Sequence, residues 1–130
     1  MMERFLPYLL VGAGSFVGGN ARYVVGRWAG TLIDARFPLG TFMINILGSF
    51  ILGMIGGFLS SRSLAHSDAI RLALGVGFCG GFTTFSTFEF ETHALFEDGI
   101  WLTAVTNMFL SLFAGLVAVR LGLVAGRTWL

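Results

Sequence analysis

The sequence predicts an all-α integral membrane protein with four transmembrane helices. Of its 130 residues, 55% are hydrophobic and only 12% are charged, and the mean hydropathy is +0.83. A soluble domain of this size carries far more polar surface. The apolar residues are also gathered into stretches of roughly 20 residues, the length at which a helix crosses a bilayer core about 30 Å thick.

The four predicted spans follow one another with short polar links between them. They cover residues 5–26, 38–59, 70–88 and 100–124. Pro38 marks the start of the second span. The third link is the most highly charged, and it holds Glu89, Glu91, His93, Glu97 and Asp98. No separate soluble domain fits in so short a chain, so residues 1–130 are predicted to form one membrane domain.

The arginine residues leave the orientation in the membrane open. Four crossings place both termini and the second link on one side, with Arg4, Arg62, Arg71, Arg120 and Arg127. The other side holds Arg27 and Arg36, with Arg22 just inside the first span. This bias favours termini in the cytoplasm. It is also weak enough for insertion both ways round, which would permit an antiparallel homodimer with its two-fold axis in the membrane plane.

The third span contains the run FCGGFTTFSTF at residues 78–88. Gly80 and Gly81, followed by hydroxyl side chains, predict a break in the helix at its middle. Non-helical backbone within a membrane is tolerated only where protein or a cavity surrounds it. A break frees backbone carbonyl groups, and such groups suit a small cation such as Na⁺. On a dimer axis, they would form a cage for a cation that is structural and does not move.

Polar side chains recur every four residues in the second and fourth spans. The two stripes are Thr41, Asn45 and Ser49, and Thr103, Asn107 and Ser111. Residues at this spacing share one helix face. These side chains either form interhelical hydrogen bonds, each contributing about 0.6 kcal/mol, or they line an ion path. Two complete stripes in one small protein favour the path.

The types of polar residue predict passive conduction of an anion. No Asp or Glu lies deep in a predicted span, whereas coupled pumps usually carry a titratable acid there. Amides and hydroxyls donate hydrogen bonds without a fixed charge, and phenylalanine rings have positive edges. Phe82, Phe85 and Phe88 recur every three residues, so they are predicted on one side of the helix after the break. Arg22 would anchor its helix or raise the anion concentration at a pore mouth.

Other classes of function find little support in the composition. A single cysteine, Cys79, excludes an internal disulfide and a cysteine-based metal cluster. The net charge of +1 and the absence of lysine leave no basic patch for nucleic acid. His66 and His93, both predicted in links, have no catalytic constellation nearby, so the protein is not expected to be an enzyme.

Three motifs resemble the Fluc (CrcB) family of fluoride channels. They are GGNARY at 18–23, PLGTFMINILGSFILG at 38–53 and GFCGGFTTFSTFEFET at 77–92, and the resemblance covers essentially the whole chain. It implies an antiparallel, dual-topology homodimer with two narrow fluoride pores in a bacterial cytoplasmic membrane. The implied function is passive fluoride export that relieves fluoride toxicity, because HF enters a cell, ionises and is trapped until a channel releases the anion.

The resemblance also implies which residues form the pathway. Phe85 and Phe88 would face fluoride through their ring edges. The polar residues expected along the pore are Asn45, Thr41, Ser111, Ser86 and Thr87. Arg22 would lie near the aqueous vestibule and Glu91 near the far end of the pathway. Asn107 also falls on the pathway, at a position where many relatives have a tyrosine.

The implied cofactor is a Na⁺ ion at the dimer interface, bound by the backbone carbonyl groups of Gly80 and Thr83. Two alternative functions differ from this expectation. A small multidrug exporter would need a membrane-embedded glutamate in the first span, which has none. A non-transporting assembly subunit would need only glycine-rich helices, and it leaves the TTFSTF run and both polar stripes unexplained.

Overall fold

The computed structural model describes residues 2–32, 36–62 and 64–129. Within these ranges the chain is helical and contains no strand, which confirms the predicted all-α fold. The elements are α1 (Met2–Leu32), α2 (Leu39–Ser61), α3 (Ser67–Ile70), a π-helix (Arg71–Cys79), α4 (Gly80–Phe82), α5 (Phe85–Glu97) and α6 (Trp101–Thr128). The elements from α3 to α5 form one broken helix, Ser67–Glu97, which is called the third helix below.

Three of the helices are long and apolar enough to cross a membrane. They are α2, the third helix and α6. The first helix, α1, has the necessary length at 31 residues, but glycines together with Asn20 and Arg22 lower its hydropathy, and it is not one of the three. The membrane crossing of residues 5–26 therefore stays a prediction.

The helices are longer than the apolar spans predicted from the sequence. The first was expected to end at Gly26 and continues to Leu32, so Arg27 is helical and does not lie in a link. The third was expected to end at Phe88 and continues to Glu97. Glu91 and His93 are therefore helical as well, which corrects their predicted place in a link. Hydropathy detects only the apolar part of a helix, whereas the backbone hydrogen bonds continue beyond it.

Pairs of glycines join the helices at two close contacts. Gly14 and Gly18 of α1 lie against Gly77 and Gly81 of the third helix, where an added Cβ atom would collide with the backbone opposite. The second contact is built in the same way between α2 and α6, from Gly53, Gly57, Gly122 and Gly126. In the sequence, the GxxxG spacing of Gly14 and Gly18 and of Gly53 and Gly57 predicts close contacts between helices. Their partners also have i, i+4 spacing, so each contact brings two flat helix faces together.

The break in the third helix is present, but it does not fall at the glycines. Gly80 and Gly81 are helical, and the backbone becomes extended at Thr83 (φ −79°, ψ 160°) and Thr84 (φ −149°, ψ 111°). Gly81 serves close packing instead, because a Cβ there would lie 2.7 Å from the Ser15 carbonyl oxygen. The position of the break thus depends on the hydrogen bonds that the two threonines make with other helices.

The turn between α5 and α6 depends on one glycine. Gly99 has a φ of +73°, the left-handed region in which a side chain is strained. Its N–H donates to the Phe96 carbonyl at 3.0 Å, and the Ile100 N–H donates to the Leu95 carbonyl at 2.8 Å. Such a turn satisfies the last carbonyls of α5. It directs α6 back along α5, so that both helices face the same cavity.

Candidate ion pathway

Asn45 of α2 holds the extended backbone of Thr84 at the break. Its Oδ1 accepts a hydrogen bond from the Thr84 N–H at 2.8 Å, and its Nδ2 donates to the Thr84 carbonyl at 3.1 Å. The amide side chain therefore satisfies both backbone groups of a residue that has left the helix. An unsatisfied backbone group would be costly at this depth, so Asn45 explains why the chain can break here.

The two threonines at the break also bond to the helices on either side. The Thr83 N–H and hydroxyl both donate to the Cys79 carbonyl, each at 2.9 Å, at the end of the first half of the helix. The Thr84 hydroxyl accepts from the Thr87 N–H at 3.3 Å and donates to the Thr87 hydroxyl at 2.9 Å. Thr84 is thus the N-cap of α5. Arg22 of α1 donates to the Thr83 carbonyl at 3.4 Å.

A cavity of about 420 Å³ lies on one side of the break. Its wall brings together predicted residues from three helices: Asn45, Gly80, Thr83, Phe85, Phe88 and Ser111. Ser49 lies on the same wall, so the α2 stripe faces this cavity with two of its three members. We call this space the ring cavity, because Phe85 and Phe88 are its aromatic residues.

Phe85 and Phe88 stand side by side on α5. Their ring centroids are 5.9 Å apart and the ring planes are inclined by 39°. Phe85 is 74% exposed in the single chain. Phe82, which the three-residue spacing placed on the same side, lies before the break instead and is buried against Phe78 in a stacked pair. The break interrupts the helical spacing, so the prediction for Phe82 is wrong.

A second cavity, of about 650 Å³, lies on the other side of the break. Its charged and polar wall consists of Arg22, Tyr23, Arg27, Thr41, Thr84, Thr87 and Glu91. We call it the arginine cavity. Thr41 is one helical turn from Asn45 on α2, and Thr84 directly follows Thr83. The two cavities therefore border the same short stretch of chain.

Glu91 is the acidic residue of the arginine cavity. Its Oε2 atom is buried and has no hydrogen-bond partner in the part of the chain that the structure describes. The Thr41 side chain lies beside the same carboxyl group. The cavity is thus lined by two cations, which can attract an anion, and by one carboxyl group, which can accept hydrogen bonds.

Asn107 of α6 is buried away from both cavities. It is 1% exposed, and its Nδ2 donates to the Thr92 hydroxyl of α5 at 2.8 Å. Its Oδ1 accepts from the Ser111 hydroxyl at 3.2 Å. Of the predicted α6 stripe, only Ser111 reaches a cavity wall. Of the predicted hydroxyl residues on α5, Thr87 lines the arginine cavity and Ser86 lines neither.

The chain is similar to known proteins over almost its whole length. Residues 9–123 match the family described as CrcB-like protein, Camphor Resistance (CrcB). The chain is 43% identical to a protein named fluoride-specific ion channel FluC from Prosthecochloris aestuarii, over 99% of each chain. A protein of the same name from Chlorobium chlorochromatii is 44% identical, over 98% of this chain and 97% of its own.

The chain belongs to the CrcB family. A third relative of the same name, from Acidobacterium capsulatum, is 44% identical over 94% of this chain and 97% of its own. The family resemblance predicted from the three motifs is thereby confirmed. In this CrcB chain the motifs come together in space, since the first supplies Arg22, the second Asn45 and the third the break.

Sequence reasoning missed several residues of the site in this CrcB protein. Thr84 was noted only as part of a hydroxyl run, although it is both the partner of Asn45 and the cap of α5. Threonine is among the preferred N-cap residues, and this preference is the signal that could have identified Thr84. Arg27 lines the arginine cavity because α1 continues past its predicted end, and Tyr23, which lies within the predicted span, lines it as well. No local signal pairs Asn45 with Thr84, which lies 39 residues away.

Proposed function

We propose that this protein is a passive, fluoride-selective channel that exports fluoride across the bacterial cytoplasmic membrane and so relieves fluoride toxicity. The observation that carries the proposal is the position of the helix break between two cavities. Thr83 lines the ring cavity and Thr84 the arginine cavity. Asn45 on one wall and Thr41 on the other continue the same polar stripe across the break.

The chemistry of the two walls suits a small anion. Fluoride holds its hydration shell strongly, so a pore must replace water by donors and positive groups at short range. Arg22 and Arg27 supply positive charge in the arginine cavity. Thr87 and Ser111 supply hydroxyl groups, and the rings of Phe85 and Phe88 supply their positive edges. These contacts are individually weak, which conduction requires, since a tightly bound ion does not leave.

The relatives support the choice of ion. The three reported above are all named fluoride-specific ion channels, and they align with this chain over almost its whole length. Within the proposal, Arg22 lies at the aqueous mouth, Asn45, Phe85 and Phe88 lie along the narrow part, and Glu91 lies towards the other end. Ser86 lines neither cavity and Asn107 is buried, so we do not propose that either residue contacts the ion directly.

The channel is proposed to be an antiparallel homodimer of four-span chains with dual topology. Two features support a second copy on the ring-cavity side. Phe85 is 74% exposed there, and nothing lies within 4 Å of a Cβ added to Gly80. A second copy would close the ring cavity and remove this aromatic surface from lipid. The weak arginine asymmetry between the two sides is compatible with insertion in both orientations.

A structural Na⁺ at the dimer interface completes the proposal. The Gly80 carbonyl fits this role because the N–H four residues later, that of Thr84, donates to Asn45 instead. Thr83 lines the same cavity wall, and the side-chain contact of its carbonyl within the described residues is the 3.4 Å one from Arg22. Two carbonyl oxygens from each copy would give four oxygen ligands, the donor type that Na⁺ prefers. The ion would hold the two copies together and would not take part in conduction.

Reconstitution in liposomes tests the function directly. Vesicles loaded with potassium fluoride are diluted into low-fluoride buffer, and a potassium ionophore sets the voltage. We expect rapid fluoride release and, in matched chloride-loaded vesicles, almost no chloride release. Vesicles that contain correctly inserted protein and still retain fluoride would refute the channel, and equal release of both halides would refute its selectivity. Replacing sodium by potassium throughout should weaken the dimer if Na⁺ is the interface ion.

A further inference from the structure

Asn107 lies at the centre of a buried hydrogen-bond chain that joins α5 to α6. The Thr92 hydroxyl donates to the Phe88 carbonyl at 2.7 Å, and the Asn107 Nδ2 donates to the Thr92 oxygen at 2.8 Å. The Ser111 hydroxyl donates to the Asn107 Oδ1 at 3.2 Å. The two ends of the chain, Phe88 and Ser111, both line the ring cavity. The middle of it, Asn107 and Thr92, is buried.

The hydrogen bonds of this chain all run in one direction. A carbonyl oxygen only accepts, and the Thr92 hydroxyl donates its proton to that of Phe88. The Thr92 oxygen is then left to accept from the amide nitrogen of Asn107, which places the Asn107 oxygen towards Ser111. The Ser111 proton is consequently held by Asn107. This arrangement satisfies all four groups, and burial makes an unsatisfied group costly.

We propose that Asn107 is a positioning residue that fixes Phe88 and Ser111 relative to each other across the ring cavity. The inference rests on the proposed function, because it concerns how the wall of that pore is held. Asn107 acts through Thr92 on the first turn that follows Phe88, and directly on the Ser111 hydroxyl. A shift of either helix would change the separation between the Phe88 ring edge and the Ser111 oxygen.

The same chain gives Ser111 a defined resting state. Its hydroxyl proton is donated to the Asn107 Oδ1 at 3.2 Å, so it is not free to meet an ion in the cavity that Ser111 lines. To donate to an anion beside it, the Ser111 hydroxyl must rotate and break its hydrogen bond with the Asn107 oxygen. Asn107 therefore competes with the ion for one hydrogen bond. Such competition keeps the hydroxyl a weak ligand, which favours departure of the ion as well as its binding.

Variants of Thr92 and Asn107 test the positioning role in reconstituted full-length protein. At low protein density, the fraction of liposomes that release fluoride counts the functional channels, and the release rate of those liposomes measures conduction. We expect Asn107→Leu and Thr92→Val each to slow release per channel about tenfold, with the functional fraction unchanged, since each removes a buried hydrogen bond. Thr92→Ser keeps the hydroxyl and should conduct within about twofold of the original rate.

The double variant and a matched control complete the test. Asn107→Leu combined with Thr92→Val should be no slower than the slower single variant, because both changes break the same chain. Thr128→Val is the control. It removes the same kind of bond, from a hydroxyl to the Val124 carbonyl at 2.9 Å, on an exposed part of α6. We expect it to conduct normally.

Three outcomes would overturn the inference. Unchanged release per channel in both single variants would show that the hydrogen-bond chain does not govern conduction. A reduced functional fraction with unchanged release per channel would show a role in folding alone. If Asn107→Leu does not assemble, Thr92→Val and Thr92→Ser decide between these outcomes. Absence of fluoride release by the unaltered protein would instead refute the proposed function, and the positioning role with it.

Discussion

Asn45 holds both backbone groups of Thr84, and through them it fixes where the third helix breaks. In a continuous helix, the Thr84 N–H and carbonyl would bond to the neighbouring turns. Here the Asn45 amide bonds to both groups instead, at 2.8 and 3.1 Å. The break in turn separates the two cavities and starts α5 with Phe85 directed at one of them. One residue of α2 therefore determines the geometry of a site that is built mainly from other helices.

Replacement of Asn45 by leucine should destabilise the protein. The substitution leaves the Thr84 N–H and carbonyl without partners, and we expect a loss of about 1–3 kcal/mol in the free energy of unfolding. Unfolding in detergent mixtures measures it. Asn20→Leu is the matched control, because Asn20 is exposed and bonds only to the Phe16 carbonyl of its own helix. Equal stability of the two variants would contradict the role of Asn45.

Phenylalanine variants on α5 test whether the rings of Phe85 and Phe88 take part in conduction. Phe85→Ile and Phe88→Ile should each slow fluoride release strongly while the dimer survives, because isoleucine is apolar but has no positive ring edge. Phe90→Ile serves as control, since Phe90 is 75% exposed, nearly the same as Phe85 at 74%, but lines neither cavity. Unchanged release by both ring-cavity variants would remove the rings from the pathway.

Two glycines with free space around them provide a test of the proposed dimer interface. A Cβ at Gly80 or at Gly12 meets nothing within 4 Å in the single chain, so both leucine variants should fold. Gly80→Leu should nevertheless prevent association, since Gly80 lies on the wall that the second copy is proposed to cover. Cross-linking and single-molecule photobleaching in membranes measure association. Dimerisation of Gly80→Leu as strong as that of Gly12→Leu would argue against this interface.

Neighbouring glycines on α1 test the contact with the third helix. Gly18→Ala brings a methyl group into collision with the Phe78 carbonyl, whereas Gly19→Ala has open space. We expect Gly18→Ala to cost about 1–3 kcal/mol through displaced backbone. Gly19→Ala should be neutral or slightly stabilising, because alanine favours the helix by up to about 1 kcal/mol. The opposite order in thermal stability would show that the contact is not close.

Arg22 is expected to act through its charge. Arg22→Gln removes positive charge from the arginine cavity and weakens the contact with the Thr83 carbonyl. Fluoride release should fall several-fold at low ionic strength and less at high salt, because salt screens the attraction. Arg62→Gln is the control, since Arg62 packs over the Phe58 ring and lines neither cavity. A loss of flux that does not depend on salt would indicate a purely structural role.

Features with a strong local pattern were predictable from the sequence. The apolar lengths predicted four long helices, all of which are present in the described residues, and the i, i+4 glycines at 14/18 and 53/57 identified both close contacts. Features that depend on a distant partner were not predictable. The glycines at 80 and 81 suggested a break that in fact begins at Thr83, since glycine only permits a break whereas Asn45 stabilises one. Phe82 was misplaced for the same reason.

Hydrophobic composition and residue spacing by themselves determined that this chain is a helical membrane protein with glycine contacts and polar stripes. Both properties are local, because each helix satisfies its own backbone and any segment of about 20 apolar residues prefers the membrane. Only the tertiary structure decided which polar residues share a wall. Asn107 and Ser111 occupy the same stripe, yet one is buried in a hydrogen-bond chain and the other faces a cavity. That difference arises because α5 packs over one part of α6 and leaves the next part open, and no spacing along a single helix contains this information.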